Sequence, residues 1–117
     1  MNRDRLLYDA KQRVLELAKD YQPPKPWELN LPGPTGRAAL NLAIEGFKLL
    51  GKALPHDVTV SKALASVLCG GDHDFTSLTT EAQILEMEHR EFMRLIHLPE
   101  SIARIETMLK TGKPLRN

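Results

Sequence analysis

The sequence predicts an all-α protein of about five helices, with a proline-rich extended strap between the first and second. Three observations lead there. Apolar residues recur at three- and four-residue steps, helix-start chemistry stands in front of several of these runs, and no segment alternates apolar and polar residues as a half-buried strand does.

The first helix is predicted from Arg3 to Asp20. Leu6, Ala10, Val14, Leu17, Ala18 and Tyr21 form one apolar stripe, and Arg3, Asp4, Arg5, Lys11, Gln12, Arg13 and Lys19 take much of the remaining surface. Five prolines then fall between Pro23 and Pro34. Each fixes its own φ and several restrict the residue before them, so this stretch is predicted to be extended rather than helical. It carries Trp27, Leu29 and Leu31, which can order the strap only by lying on a neighbouring surface. Packing, rather than ligand stacking, is the expected role of Trp27.

Thr35 is read as the N-cap of a second helix over Gly36–Leu50, with Leu40, Ala43, Ile44, Phe47 and Leu50 on one side and Gly51 just past its end. Pro55-His56-Asp57 opens a third helix, with Asp57 as its expected cap. Val60, Leu64, Val67 and Leu68 line that helix, and Gly70-Gly71 ends it. Asp72–Thr79 is a polar connector and the internal segment expected to be most mobile. Thr80-Glu81-Ala82-Gln83 matches a capping box, in which threonine and glutamine satisfy each other's free amides. The helix it starts, Glu81–His97, is expected to turn Leu85, Phe92, Leu95 and Ile96 inward. Pro99 and Glu100 suit the first turn of a final helix. That helix carries Ile102, Ile105, Met108 and Leu109, stops at Gly112, and is followed by Pro114. The chain thus reads as a single helical module over 1–117, made of a first helix (1–21), a strap (22–34) and a helical bundle (35–117).

Composition narrows the function classes. At 117 residues the chain suits one domain, and 16 basic against 15 acidic residues give a net charge of +1. No global field therefore draws it to nucleic acid or to a membrane surface. No stretch approaches the roughly 18 apolar residues needed to span a bilayer, and Met1–Arg5 shows no secretory apolar region. Cys69 is the single cysteine, which excludes an internal disulfide and reads as a small packed side chain in a reducing compartment. The expected location is the cytoplasm.

The candidate motifs do not assemble a reaction centre. Glu86-x-x-His89 has the spacing of one half of a di-metal bundle site, but no second copy accompanies it, and Glu86, Glu88, His89, Arg90 and Glu91 read as a solvated helix face. In Asp72-His73-Asp74, three adjacent side chains converge poorly on one ion. No acid–base partner is evident for His56 or His97. Gly33-Pro34-Thr35-Gly36 has the form of a GxxG nucleic-acid clamp without the sheet that clamp requires, and helix-start chemistry explains it. Neither GxGxxG nor GxxxxGK[ST] occurs, so the chain lacks a dinucleotide turn and a P-loop. Ser61, Ser66, Ser77 and Ser101 lack the context of a nucleophile elbow. No catalytic residue and no metal ligand is assigned. Lys110, Lys113 and Arg116 form the one concentrated charge feature. They suit a helix C-terminus and a soluble tail, with contact to a phosphate-bearing ligand as the sharper reading.

An ordered series of segments nevertheless resembles a known family. It runs Asn2-Arg3-Asp4-Arg5-Leu6-Leu7, Leu17-Ala18 with Tyr21-Gln22-Pro23-Pro24, Leu31-Pro32-Gly33-Pro34, Pro55-His56-Asp57 and Leu68-Cys69-Gly70-Gly71-Asp72. It continues through His89-Arg90-Glu91-Phe92 to Met108-Leu109-Lys110-Thr111-Gly112-Lys113-Pro114-Leu115-Arg116-Asn117. Together these look like the extreme C-terminus of long bacterial 3-hydroxyacyl-CoA dehydrogenases of fatty-acid β-oxidation, in which an NAD-binding dehydrogenase part is joined to an enoyl-CoA hydratase-like part. The resemblance implies a parent enzyme that oxidises 3-hydroxyacyl-CoA with NAD. It places the family's dinucleotide glycines, catalytic His/Glu pair and glycine-rich hydratase loop upstream of this chain, so NAD and acyl-CoA are ligands of the parent.

For the chain itself the resemblance implies a non-catalytic docking or covering element whose partners are the catalytic parts of the parent polypeptide. Within that reading Lys113 and Arg116 are the residues proposed to meet the CoA phosphates, and the isolated chain is expected either to self-associate, as a homodimer, or to expose an apolar patch. The alternative is a free-standing helical protein-interaction module. A small helical nucleic-acid binder is a third class, against which the near-neutral charge and the lack of a basic recognition face argue.

Overall fold

The computed structural model describes residues 3–74 and 76–117 of the chain. Met1, Asn2 and Phe75 lie outside the described residues, and with them the start of the 1–21 segment and the middle of the polar connector. Five helices carry the fold: α1 (Arg3–Ala18), α2 (Gly33–Leu49), α3 (Pro55–Leu68), α4 (Glu81–Ile96) and α5 (Pro99–Thr111). The all-α expectation holds, and so does the extended segment between the first two helices.

One local expectation does not hold. Two strands of three residues, β1 (Glu28–Asn30) and β2 (Leu78–Thr80), pair antiparallel with Leu29 opposite Thr79. The prolines keep the strap extended, and the end of the connector supplies the backbone partners. Three residues are too few for an alternating pattern to be read from sequence. The connector therefore ends in a strand instead of staying irregular to Thr79. Thr79 is 1% exposed, and its hydroxyl has no hydrogen-bond partner among the described residues.

Helix boundaries differ where local signals compete. The second helix starts at Gly33 rather than after Thr35, because the Gly36 amide already donates to the Pro32 carbonyl (3.4 Å) and Pro34 sits in a first turn that needs no N–H. Leu54, not Asp57, is the cap residue of α3. Asp57 is the third helical residue, and its carboxylate reaches back to accept from the Leu54 amide at 3.0 Å. The capping box of α4 forms as read: Thr80 N–H donates to Gln83 Oε1 (2.9 Å) and Gln83 N–H donates to Thr80 Oγ1 (3.4 Å). Gly70 and Gly71 both take positive φ (82° and 61°) and end α3 as glycines do, with the Gly71 amide donating to Ser66 O at 2.7 Å.

The packing centre is α3, with α2 on one flank and α4 on the other; α5 packs on α4. The buried apolar residues are Val58, Ala63, Ala65, Val67 and Cys69, all small. The large apolar side chains face out instead. The whole stripe of α1 is exposed, as are Leu85 and Phe92 on α4 and Ile102, Ile105, Met108 and Leu109 on α5. This corrects the inward placement of Leu85 and Phe92. The half-buried side of α4 is marked by Ile84, Met87, Glu91 and Leu95, where α3 supplies the neighbour. Trp27 is 68% exposed, against the packing expected of it, whereas Leu31 closes against Gly70.

The chain is open. Its radius of gyration is 21.3 Å, against about 13 Å for a compact chain of this length. Its accessible surface is 9500 Å², against roughly 6,400 Å² for a compact monomer of this mass.

Candidate functional site

The densest polar cluster forms where the starts of α3 and α5 meet the tail. Asp57 accepts from Arg104 Nη2 (2.7 Å) through one oxygen, and from Arg116 Nη2 (3.1 Å) and the Leu54 amide through the other. The Leu54 amide, followed by the Arg104 and Arg116 guanidinium groups, holds this carboxyl well below the usual carboxylate range. Arg104 also donates through Nε to Asn117 Oδ1 (2.7 Å) and through Nη2 to the Asn117 main-chain oxygen (3.2 Å). That same oxygen accepts from the His56 amide at 3.3 Å, and Asn117 Nδ2 donates to Glu100 O at 3.1 Å. The tail is thereby drawn onto two helix N-termini, Arg116 reaching Asp57 59 residues earlier and Asn117 reaching Glu100 17 residues earlier.

His56, 4% exposed, lies beside this cluster with Nε2 2.9 Å from Ser101 Oγ. His56 lines a cleft of about 330 Å³ with Pro55, Thr59, Arg94, Leu98, Glu100 and Asn117. A serine–histidine contact by itself does not make an activated serine. Activation also needs a group that orients the far ring nitrogen and donors for a developing oxyanion. What the contact does is join the first turn of α3 to the first turn of α5. Sequence reading missed this pairing because His56 and Ser101 are 45 residues apart, and neither carries a local motif.

The other candidates are dispersed. Glu86 and His89 are both exposed on α4. Asp72 pairs with Arg37 at 2.7 Å, while Asp74 turns to the Thr76 amide (2.9 Å) and hydroxyl (2.8 Å), which hold its carboxyl below the usual range. The two aspartates thus serve different partners. Among the described residues no group of three or more His, Cys, Asp or Glu is placed to hold a metal ion. Gly33 and Gly36 act in the turn into α2: the Gly33 amide donates to Cys69 O (2.9 Å), and a Cβ on Gly36 would stand 2.5 Å from Pro32 Cβ. Cys69 is buried, 1% exposed. Of the tail cations, Arg116 is engaged with Asp57 and with Lys52 O (3.0 Å), Lys110 pairs with Glu106, and the Lys113 side chain is exposed.

A dinucleotide site needs parallel strands feeding a glycine turn and a helix N-terminus. The strands among the described residues are one short antiparallel pair and not of that kind. No helix among the described residues is long and apolar enough to cross a membrane.

Comparison with known proteins supplies what the geometry does not. No family model and no solved structure matches the chain. Over its whole length it is 42% identical to a stretch of the probable 3-hydroxyacyl-CoA dehydrogenase of Bacillus subtilis (strain 168). That stretch is the C-terminal part of the relative, and the chain spans 15% of the relative's length.

Proposed function

We propose that this chain is the C-terminal helical module of a 3-hydroxyacyl-CoA dehydrogenase acting in cytoplasmic fatty-acid β-oxidation, and that the module itself is non-catalytic. The observation that carries the reading is the whole-length identity of 42% to the C-terminal part of a probable enzyme of that name. The parent would oxidise 3-hydroxyacyl-CoA with NAD, using residues upstream of this segment. The module's own polar cluster supports a structural role, since Asp57, Arg104, Arg116 and Asn117 satisfy one another.

Within this reading Lys113 and Arg116 remain the residues proposed to meet the phosphates of acyl-CoA. Lys113 has the freer side chain for that work, whereas Arg116 would have to share its guanidinium with Asp57.

The test compares the 117-residue chain with the full polypeptide in an NADH-coupled assay with 3-oxoacyl-CoA. Turnover by the full polypeptide and none by the chain alone is expected. Turnover that copurifies with the isolated chain overturns the non-catalytic reading. A reading frame with no dehydrogenase part ahead of this sequence overturns the parent reading and leaves the free-standing interaction module.

A further inference from the structure

The second helix is turned inside out relative to the body it belongs to. Its polar side chains Arg37, Asn41, Glu45 and Lys48 fall within about 80° of the helix circumference at 3.6 residues per turn. Apart from Thr35 in the first turn, the remaining arc, from Ala38 through Leu42 and Leu49 to Leu40, is apolar. A helix apolar over so much of its circumference belongs in an interior. Here, however, the half-buried residues include Arg37, Asn41 and Glu45, with Lys62 of α3 donating to Glu45 and the Asn41 side-chain oxygen buried without a partner among the described residues. The apolar arc looks outward: Leu42 is 77% and Leu49 88% exposed. Along one edge it runs into an open groove of about 240 Å³ between α2 and α3, whose walls include Leu40, Phe47, Leu64 and Leu68.

We propose that this arc and groove are the surface by which the module docks on the catalytic part of its own longer polypeptide. The proposal rests on the parent reading above and names the face and the occupant. Three observations select that occupant. First, the match takes 15% of the relative's length, so most of a long polypeptide is available to cover the face. Second, exposed apolar stripes lie on α1, α2 and α5, over a body 60 × 45 Å across its two longer axes. A second copy related by a two-fold axis would cover one self-complementary patch and leave the others bare. A partner larger than the module can cover them together. Third, the surface beyond that of a compact monomer is roughly 3,000 Å² on this chain alone, well above the roughly 800 Å² per partner of a standard interface. The arc carries no charge, so its occupant is an apolar protein surface.

The experiment is hydrogen exchange of α2 in the full polypeptide and in the isolated chain. Amide protection across Gly33–Leu49 is expected to rise more than tenfold in the full polypeptide. Replacing Leu42→Asp together with Leu49→Asp should remove that increase, whereas Lys110→Glu on α5 should leave it in place. If the double variant does not fold, the comparison of the two unmodified proteins still decides the question. Equal protection of α2 in both, with the full polypeptide active as a dehydrogenase, overturns the docking surface and leaves the parent reading standing. Protection in the isolated chain that grows with concentration and vanishes on Leu42→Asp makes a second copy the occupant, and overturns the proposal. A polypeptide without a dehydrogenase part overturns the parent reading and this occupant with it.

Discussion

Arg104 donates to Asp57 at 2.7 Å and so ties the last helix to the first turn of the central one, 47 residues earlier. Both side chains are about three-quarters buried, so solvent screens the pair less than it screens an exposed one. Asp57→Ala leaves the Leu54 amide and two guanidinium groups without their acceptor. A loss of about 2 kcal/mol is expected, the scale of hydrogen bonds to a charged group. Urea unfolding of Asp57→Ala, with Arg104→Gln alongside, checks it. Less than about 0.5 kcal/mol for both would mean that the contact is a solvated surface pair.

The acid limb of stability should depend on the same carboxylate. The folded protein holds Asp57 deprotonated well below its ordinary value, so the unfolded chain binds more protons throughout the interval between the two values. Stability from this group is therefore complete above about pH 4 and falls progressively as the pH drops below it. Asp57→Asn should flatten that fall, and thermal melts from pH 2 to pH 6 would show it. An unchanged slope in the variant would assign the acid sensitivity to Asp74 and Glu45, whose carboxyls are also held low.

Gly36→Ala should destabilise the junction of α2 and α3. The new Cβ would meet Pro32 Cβ at 2.5 Å and Pro32 Cγ at 2.9 Å, with Cys69 Sγ at 3.5 Å, and the proline ring cannot give way as a long side chain can. A cost of about 1–3 kcal/mol is expected for overpacking of this kind. The Cys69 thiol supplies a reporter, because it is buried in the folded chain. Its labelling by a thiol reagent should be slow in the unmodified protein and faster in the variant. Equal labelling rates would argue against strain at this site.

The capping box gives a prediction confined to one helix end. Thr80→Ala removes the acceptor for the Gln83 amide and should cost about 1 kcal/mol, while Thr80→Ser should keep most of the stability. Chemical denaturation of the two variants is sufficient. Equal losses for serine and alanine would point to the Thr80 methyl group rather than to its hydroxyl.

The tail separates a ligand role from a structural one. Lys113→Ala in the full polypeptide should raise the KM for acyl-CoA in a salt-sensitive way, with the melting temperature unchanged, if the exposed ammonium meets a phosphate. Arg116→Ala should lower stability whatever its ligand role, because it removes a partner of Asp57. Unaltered kinetics in Lys113→Ala would leave the tail as a structural terminus.

How much was legible in the sequence depended on the range of each signal. The Thr80–Gln83 box spans one helical turn and formed as read. The glycine stop at Gly70-Gly71 and the proline-enforced extension of the strap also rest on local dihedral restrictions. Thr35 and Asp57 have the residue types of caps but do not serve as caps, because competing bonds set the helix starts. The Gly36 amide reached Pro32, and the Asp57 carboxylate reached back three residues. The polar cluster at the start of α3 was invisible for a different reason. Arg104, Asp57, His56 and Ser101 are brought together over separations of 45 and 47 residues that no short motif spans.

What the sequence determined by itself was the helical class, the order of the helices and the family resemblance, because periodicity, caps and a run of short motifs are properties of neighbouring residues. Which face of each helix meets the rest of the chain was decided only by the tertiary structure. An apolar stripe marks a face that can be buried but does not say by what. In α2 and α5 the stripe and the contact with this chain lie largely on different sides, and in α4 they overlap only in part, so Leu42, Leu49, Phe92 and Leu109 stay exposed while Asn41, Glu45 and Glu91 are half-buried. Burial is a relation between two surfaces, and an apolar stripe specifies only one of them.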